Sequence, residues 1–299
     1  MSGAKGFALV VHGGAGARPG MRMEKECARL KAAASRGQAE LARGVCALDV
    51  AVSIVAELED SGLYIAGRGA SPNRGGRYEL DASVMDGETL RAGAVAALSG
   101  FRNPVRVARH VMEETPHVLL AAEGAEAFAR NYGFEGVEAP ETWYTRAGAD
   151  EANHAGTEHG TVGCCVLDAC GRLAASSSTA GLFDKMPGRV ADTPLIGAGL
   201  WCDDKVAVAC TGQGDYFIRT AAAVRVAIAA SAPGASLQPA VCAALDRIVD
   251  LGGWGGLVAL SRQGEIIVGV RKFGVKYAAL APDGRLDAGV MFPDGAVQR

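Results

Sequence analysis

The sequence predicts an α+β fold of layered sheets flanked by helices, and three observations carry that expectation. Short β-type runs beyond residue 160 are joined by hairpin signals, which argues for antiparallel pairing. Long stretches of helical periodicity lie between and before these hairpins, which argues for layered sheets flanked by helices rather than a parallel nucleotide-binding sheet. The third is material: 299 residues, 49% hydrophobic and 21% charged, suffice for a sizeable core and exclude a disordered chain.

The first expected strand is 7–11, a short apolar run ending in His12, Gly13, Gly14, Ala15 and Gly16, where the chain must bend or approach something closely. Alanine-rich helices follow. Residues 44–58 carry Val45, Leu48, Val52 and Val55 at helical spacing, a second helix starts at Asn103 or Pro104 and runs toward Met112, and a third spans about 118–130. Periodicity then vanishes. Residues 133–160, with Asn153, His154, Gly156, Glu158 and His159 near the end, read as an exposed linker. Beyond it, strands at 161–167 and 173–178 flank the turn Asp168, Ala169, Cys170, Gly171. A strand at 206–210 leads through Thr211, Gly212, Gln213, Gly214 and Asp215 into a helix over 216–230. A helix over 237–250 precedes two hairpins, 257–270 turning at Gln263 and Gly264, and 277–290 turning at Asp283 and Gly284.

Composition narrows the function. The net charge is −3, with 30 Lys and Arg against 33 Asp and Glu, so nothing favours nucleic acid or an anionic membrane, and a small-molecule partner is expected. No apolar run approaches the roughly 20 residues of a membrane span. The N-terminal apolar run is too brief for a signal peptide, and the expected compartment is the cytoplasm. Eight cysteines, none in a CxxC pair or at metal-ligand spacing with histidine, read as reduced buried thiols. Glycine is the anomaly: 41 of 299 is about twice ordinary usage, a sign of tight turns and close backbone approaches.

Single motifs leave the chemistry open. The glycine-rich stretches at 12–16 and 211–215 match neither the Walker nor the Rossmann fingerprint. Five histidines form no zinc signature, and no GxSxG elbow occurs. Taken alone, Thr161 is a β-branched strand residue, Thr211 and Gly212 a strand-to-helix turn, and Arg189 with Asp192 a surface ion pair worth little.

Their order along the chain changes the balance. HGGAG at 12–16, LEDSGLYIAGRGA at 58–70, ELDASVMDG at 79–87, AGAVAALSGFRNPVRVAR at 92–109, HGTVGCCVLD at 159–168, GRVADTPLIGAG at 188–199 and TGQG at 211–214 resemble the plant-type asparaginase and isoaspartyl aminopeptidase family of N-terminal nucleophile hydrolases, over nearly the whole chain. The resemblance implies a four-layer αββα sandwich, made as one domain over 1–299. It implies self-cleavage between Gly160 and Thr161 into an α subunit, 1–160, and a β subunit, 161–299.

Thr161 would then be a chain terminus, its α-amine (unperturbed pKa about 7.7–8.0) serving as base for its own hydroxyl, so no catalytic histidine and no catalytic cofactor are required. By resemblance, Thr179 supports the nucleophile, and Thr211 with the Gly212 N–H stabilises the oxyanion. Arg189 grips the substrate α-carboxylate, and Asp192 with the Gly214 carbonyl receives the α-ammonium. The loop at 58–68 resembles one that wraps a structural sodium ion through the main-chain oxygens of Leu58, Glu59, Ser61, Tyr64, Ala66 and Arg68; a loop without an ion is the competing reading. The implied substrates are β-aspartyl dipeptides and L-asparagine, and the implied assembly is (αβ)2.

The chain departs from the family pattern in a few places. Ile65 stands where asparagine usually precedes Ala66 and Gly67, removing a polar group near the oxyanion, worth about 10²–10³ in turnover. Ala180, Ala191 and the pair Cys164, Cys165 are smaller departures. The alternatives are a glycosylasparaginase, a taspase-like endopeptidase, and an idle family member that binds or scaffolds.

Overall fold

The computed structural model describes residues 6–147 and 159–299, with the backbone alone at His159. Its architecture is α+β. A nine-stranded sheet has the order β13-β12-β11-β1-β5-β6-β2-β3-β4. Its strands are β1 (Ala8–Ala17), β2 (Leu80–Asp86), β3 (Ala92–Leu98), β4 (Leu119–Ala121), β5 (His159–Leu167), β6 (Leu173–Leu182), β11 (Gly274–Leu280), β12 (Leu286–Met291) and β13 (Val297–Gln298). A four-stranded sheet, β10-β9-β8-β7, joins β7 (Leu200–Cys202), β8 (Val206–Gly212), β9 (Gly255–Ser261) and β10 (Ile266–Arg271). Pairing is antiparallel except between β3 and β4.

Strand alternation divides the core. On β5, Val162, Cys164 and Val166 pack with Leu9 and Val11 of β1 against α1 (Glu24–Ala42), α2 (Ala47–Ser61) and α3 (Pro104–Glu114). The intervening Cys165 and Leu167 turn the other way, meeting Leu200, Ala209, Val258 and Leu260 of the smaller sheet. On the far face of that sheet, Val208, Cys210 and Leu257 bury Val226 of α7 (Ala222–Ala230) and Val241, Leu245 and Ile248 of α8 (Leu237–Asp250). Strand β5 is thus covered on both faces, which is why its sequence reads as an unbroken apolar and small-residue run. Among the described residues no helix is long and apolar enough to cross a membrane.

Asp168 ties the central hairpin to α2. It is 2% exposed, accepts the Cys170 and Arg172 N–H groups at 2.9 and 3.1 Å and the Arg172 Nε at 2.9 Å, and takes the Ala47 N–H at the N-terminus of α2 at 3.2 Å. Cys46, the residue before the helix, offers no side-chain cap, so the carboxylate reaches in from the turn after β5. Asp168→Ala removes the acceptor of three amides, the one at Ala47 buried, and of an arginine. It is expected to lower the unfolding free energy by about 2–4 kcal/mol in chemical denaturation; a loss under about 0.5 kcal/mol would refute the capping argument.

Several expectations are corrected. The helix expected over 118–130 is β4 followed by α4 (Ala122–Asn131), because the Ala94 N–H recruits the Val118 carbonyl at 2.7 Å and the chain turns at Ala122, φ 47°. The helix expected over 216–230 is α6 (Gly214–Thr220) and α7, broken at Ala221, φ 49°. The break lets the Ala223 and Val224 amides bond the Ala198 and Gly197 carbonyls. The exposed linker at 133–160 is packed in its first half. There α5 (Pro140–Trp143) leads into Tyr144, 5% exposed and stacked on Tyr78 at 3.9 Å, while Thr145 and Ala147 donate main-chain bonds to Arg68 and Gly69. The rest of that reading, with Asn153, His154, Gly156 and Glu158, lies outside the described residues.

Candidate active site

Neighbouring strands bring the two central threonines together. Register pairs Thr161 of β5 with Thr179 of β6, and the Thr161 hydroxyl donates to Thr179 Oγ1 at 3.1 Å. Thr179 Oγ1 also accepts the Gly181 N–H at 3.0 Å, which fixes the hydroxyl that faces Thr161. Both threonines are buried, at 7% and 1% exposure.

The bond between Gly160 and Thr161 is held from two sides. Strand β1 is irregular between His12 and Ala17, and there Gly14, φ +97°, brings its main chain so close that a Cβ would stand 2.8 Å from Gly160 Cα and 3.2 Å from the Thr161 nitrogen. Opposite lies Ile65. A Cβ on Gly160 would meet Ile65 Cγ1 at 3.1 Å, so the scissile residue has room for glycine alone unless Ile65 yields. Ile65 belongs to an apolar cluster with Tyr78, Leu80, Tyr144 and Ala180, and its carbonyl accepts the Ala180 N–H at 2.8 Å.

Thr211, at the end of β8, accepts the Ala15 N–H on Oγ1 at 3.0 Å, which joins it to the same turn that touches Gly160. Accepting that bond leaves the threonine's own proton to donate. Gly212, φ +137°, lies against β9, where a Cβ would stand 2.5 Å from Gly255 Cα. Arg189 points one guanidinium nitrogen at the space beside Gly181, 3.2 Å from where a Cβ would be, and pairs through the other with Asp215 at 2.6 Å. Asp215 is largely exposed, so that pair is weak and exchangeable. Gly214 opens α6 directly against Asp192, whose Oδ1 a Cβ at 214 would strike.

Electrostatics separate two buried groups. Asp192 is 3% exposed, and its Oδ2 has no hydrogen-bond partner among the described residues. Burial pushes its pKa up to about 7, against the pull of its own amide and of Arg189. His12 is fully buried and accepts the Gly14 N–H on Nδ1 at 3.3 Å; burial pushes its pKa down to about 3, so it is a neutral structural group facing the Thr161 main chain.

The sequence reading missed the supports of the 183–192 loop. Asp81 of β2, the register partner of Thr179, accepts the Ala97 and Ala191 amides at 2.8 and 3.2 Å, and burial raises its pKa. Glu79 accepts the Gly188 N–H on both oxygens at 3.1 Å, and its carbonyl takes the Lys185 ammonium at 2.8 Å. The only sequence signal was Glu79 and Asp81 at the head of ELDASVMDG, a run without clean periodicity.

The segment read as a loop at 58–68 begins as the last turn of α2, which holds Leu58, Glu59 and Ser61 and stops at Gly62, φ 68°; only the residues after it form a loop. Of the six carbonyls expected around an ion, those of Leu58, Tyr64, Ala66 and Arg68 already accept bonds from Ser61 Oγ, the Ala66 and Gly69 amides and Thr145. A carbonyl oxygen has two lone pairs, so one such bond does not exclude a further oxygen contact; the Arg68 carbonyl already takes both the Thr145 N–H and, at 3.4 Å, the Thr145 hydroxyl. The Glu59 side chain is engaged elsewhere, accepting the Val105 N–H at the start of α3 at 3.1 Å. Burial lifts its pKa to about 8.

The sequence profile described as "Asparaginase" matches residues 5–288. The chain is 43% identical over 283 residues to the isoaspartyl peptidase of Escherichia coli K12, covering 86% of this chain and 88% of that protein. It is 35% identical to the probable isoaspartyl peptidase/L-asparaginase 2 of Arabidopsis thaliana, covering 95% and 99%, and 37% identical to the isoaspartyl peptidase/L-asparaginase of Rattus norvegicus, covering 94% and 88%. Those lengths and identities, with the two threonine hydroxyls paired across β5 and β6, place the chain in the asparaginase family.

Proposed function

We propose that the protein is a self-processing threonine hydrolase of β-aspartyl peptides and L-asparagine, releasing L-aspartate. The hydrogen bond between the Thr161 and Thr179 hydroxyls, beside a Gly160 closely packed by Ile65 and the Gly14 main chain, carries the reading. The arrangement of helices, two facing sheets and helices is, in this reading, the four-layer αββα sandwich of N-terminal nucleophile hydrolases.

In the first step Thr161 Oγ1 attacks the Gly160 carbonyl carbon. The hydroxyl proton passes to the Thr161 nitrogen as the peptide bond breaks, and water hydrolyses the resulting ester, leaving a Gly160 carboxylate and a free Thr161 amine. That amine then takes the hydroxyl proton during attack on the substrate side-chain amide and returns it to the departing amine. A second water releases aspartate. Thr179 holds the nucleophile's hydroxyl, while Thr211 and the Gly212 N–H receive the oxyanion. Arg189 exchanges its exposed partner Asp215 for the substrate carboxylate, and Asp192 and the Gly214 carbonyl take the ammonium.

Because Asp192 must be ionised to receive an ammonium, KM for a β-aspartyl dipeptide is expected to rise as pH falls below about 7, and Asp192→Asn to remove that dependence. The stability sign is opposite. The native carboxyl keeps its proton where the unfolded one has lost it, so its contribution falls as pH rises from the ordinary carboxylate range through about 7. A pH-independent KM would remove Asp192 from the substrate site.

A sodium ion in the 58–68 loop would brace α2 against Ile65 without entering the chemistry. Exchange of sodium for potassium is then expected to lower the melting temperature, and an unchanged value would dismiss the ion. The proposed assembly is a pair of cleaved protomers, checked by light scattering, and the proposed compartment is the cytoplasm. Intact-mass spectrometry followed by assay tests the whole reading. Two fragments dividing between Gly160 and Thr161, with aspartate released, are expected; one unbroken mass and no hydrolysis would leave the idle scaffold that Ile65 motivates.

A further inference from the structure

Lys185 is a buried cation to which the proposed mechanism gives no task. It is 4% exposed, and burial lowers its pKa. One proton goes to the Glu79 carbonyl at 2.8 Å, and among the described residues no salt bridge reaches the ammonium; Asp81 and Glu79 attract it from farther away. An ammonium taken out of water without a paired anion is costly, and a site that keeps one there gains when an anion arrives.

The position of the ammonium says which anion. At Gly181, φ +77°, the point an ideal Cβ would occupy lies 3.1 Å from Lys185 Cδ, 3.4 Å from Lys185 Nζ and 3.2 Å from Arg189 Nη1. The Gly181 N–H bonds Thr179 Oγ1 at 3.0 Å, and Thr179 bonds Thr161 at 3.1 Å. Two cations therefore converge on one point beside the Gly181 main chain, a short hydrogen-bonded relay from the nucleophile. We propose that Lys185 is a second cation of the substrate site, sharing the α-carboxylate of the aspartyl group with Arg189. This rests on the hydrolase reading. Arg189 offers the planar fork, and Lys185 supplies a point charge from the buried side. A carboxylate held by two cations is demanded rather than tolerated, so a substrate with its α-carboxyl masked as an amide is rejected twice.

The test compares a β-aspartyl dipeptide with its α-carboxamide counterpart on wild type and on Lys185→Gln, which keeps a donor for the Glu79 carbonyl but loses the charge. Wild type is expected to prefer the free carboxylate. In Lys185→Gln the ratio of kcat/KM values is expected to fall roughly tenfold or more, through KM, while self-cleavage by intact mass is unchanged. Equal losses on both substrates would make Lys185 a strut for the 183–192 loop and overturn the proposal. Wild type inactive on both would instead overturn the hydrolase reading. Should Lys185→Gln fail to fold, the wild-type complex with L-aspartate decides. Nζ within about 3.2 Å of an α-carboxylate oxygen is expected, and Nζ bonded to Glu79 alone would refute it.

Discussion

Thr161→Ala is expected to leave a single unbroken chain and to lower hydrolysis of a β-aspartyl dipeptide by at least about 10⁴. Both losses follow from one atom. The hydroxyl removed is the one that donates to Thr179 at 3.1 Å, next to a peptide bond flanked by the Gly14 main chain and Ile65. The substitution is otherwise mild, since Thr161 sits in a strand paired on both sides and alanine keeps the backbone bonds of β5. Thr161→Ser is the discriminating partner. It keeps the oxygen but loses the methyl that fixes χ1, so cleavage is expected to persist at a reduced rate. If Thr161→Ala still divides at this bond, the nucleophile is another group.

Ile65→Asn is expected to raise turnover of L-asparagine, by as much as about 10², and to lower stability by about 1–3 kcal/mol. The two effects have separate sources. An amide beside the acyl carbonyl restores a dipole where the present side chain offers hydrocarbon. The same amide must give up water to sit among the largely hydrocarbon surfaces of Tyr78, Leu80, Tyr144 and Ala180. Steady-state kinetics beside denaturant unfolding separate these effects. A variant that loses stability and gains no turnover would show that Ile65 is packing alone. Ile65→Val, trimming one methylene against Gly160, is the control for volume, with little change in either measurement.

Much of the fold was legible because strands and hairpins announce themselves locally. The hairpin at Asp168 and the turns at Gly264 and Gly284 follow from short-range turn chemistry, and the structure has them. Long-range decisions were not legible. Ala122 and Ala221 adopt left-handed backbone that no alanine advertises, imposed by the pairing of β4 with β3 and by carbonyls at Gly197 and Ala198. Strands β2 and β3 were absent from the periodicity reading because both faces of each are buried. At the site, order along the chain pointed to Thr161, Thr179, Arg189 and Asp192, and the structure places the first two in direct contact. The supports Asp81 and Glu79 act through main-chain amides, a role that side-chain identity hardly encodes.

The sheet order carries a consequence for how the molecule comes apart. Strands from before and after the bond at 160 alternate across its middle, β11 and β5 enclosing β1, and β1 and β2 enclosing the β5 and β6 pair. A chain cut at that bond cannot shed either piece without unzipping several ladders at once, so the two polypeptides stay together as firmly as one. Reassembly has no such advantage. Each piece alone is a sheet with gaps, and two separate molecules must find each other where an uncut chain needed only to close a loop. Unfolding is therefore expected to be recoverable before the cut and irreversible after it. Under the proposed self-processing, such a cut would act as a ratchet, leaving a product that folded as one molecule and persists as two by kinetic stability.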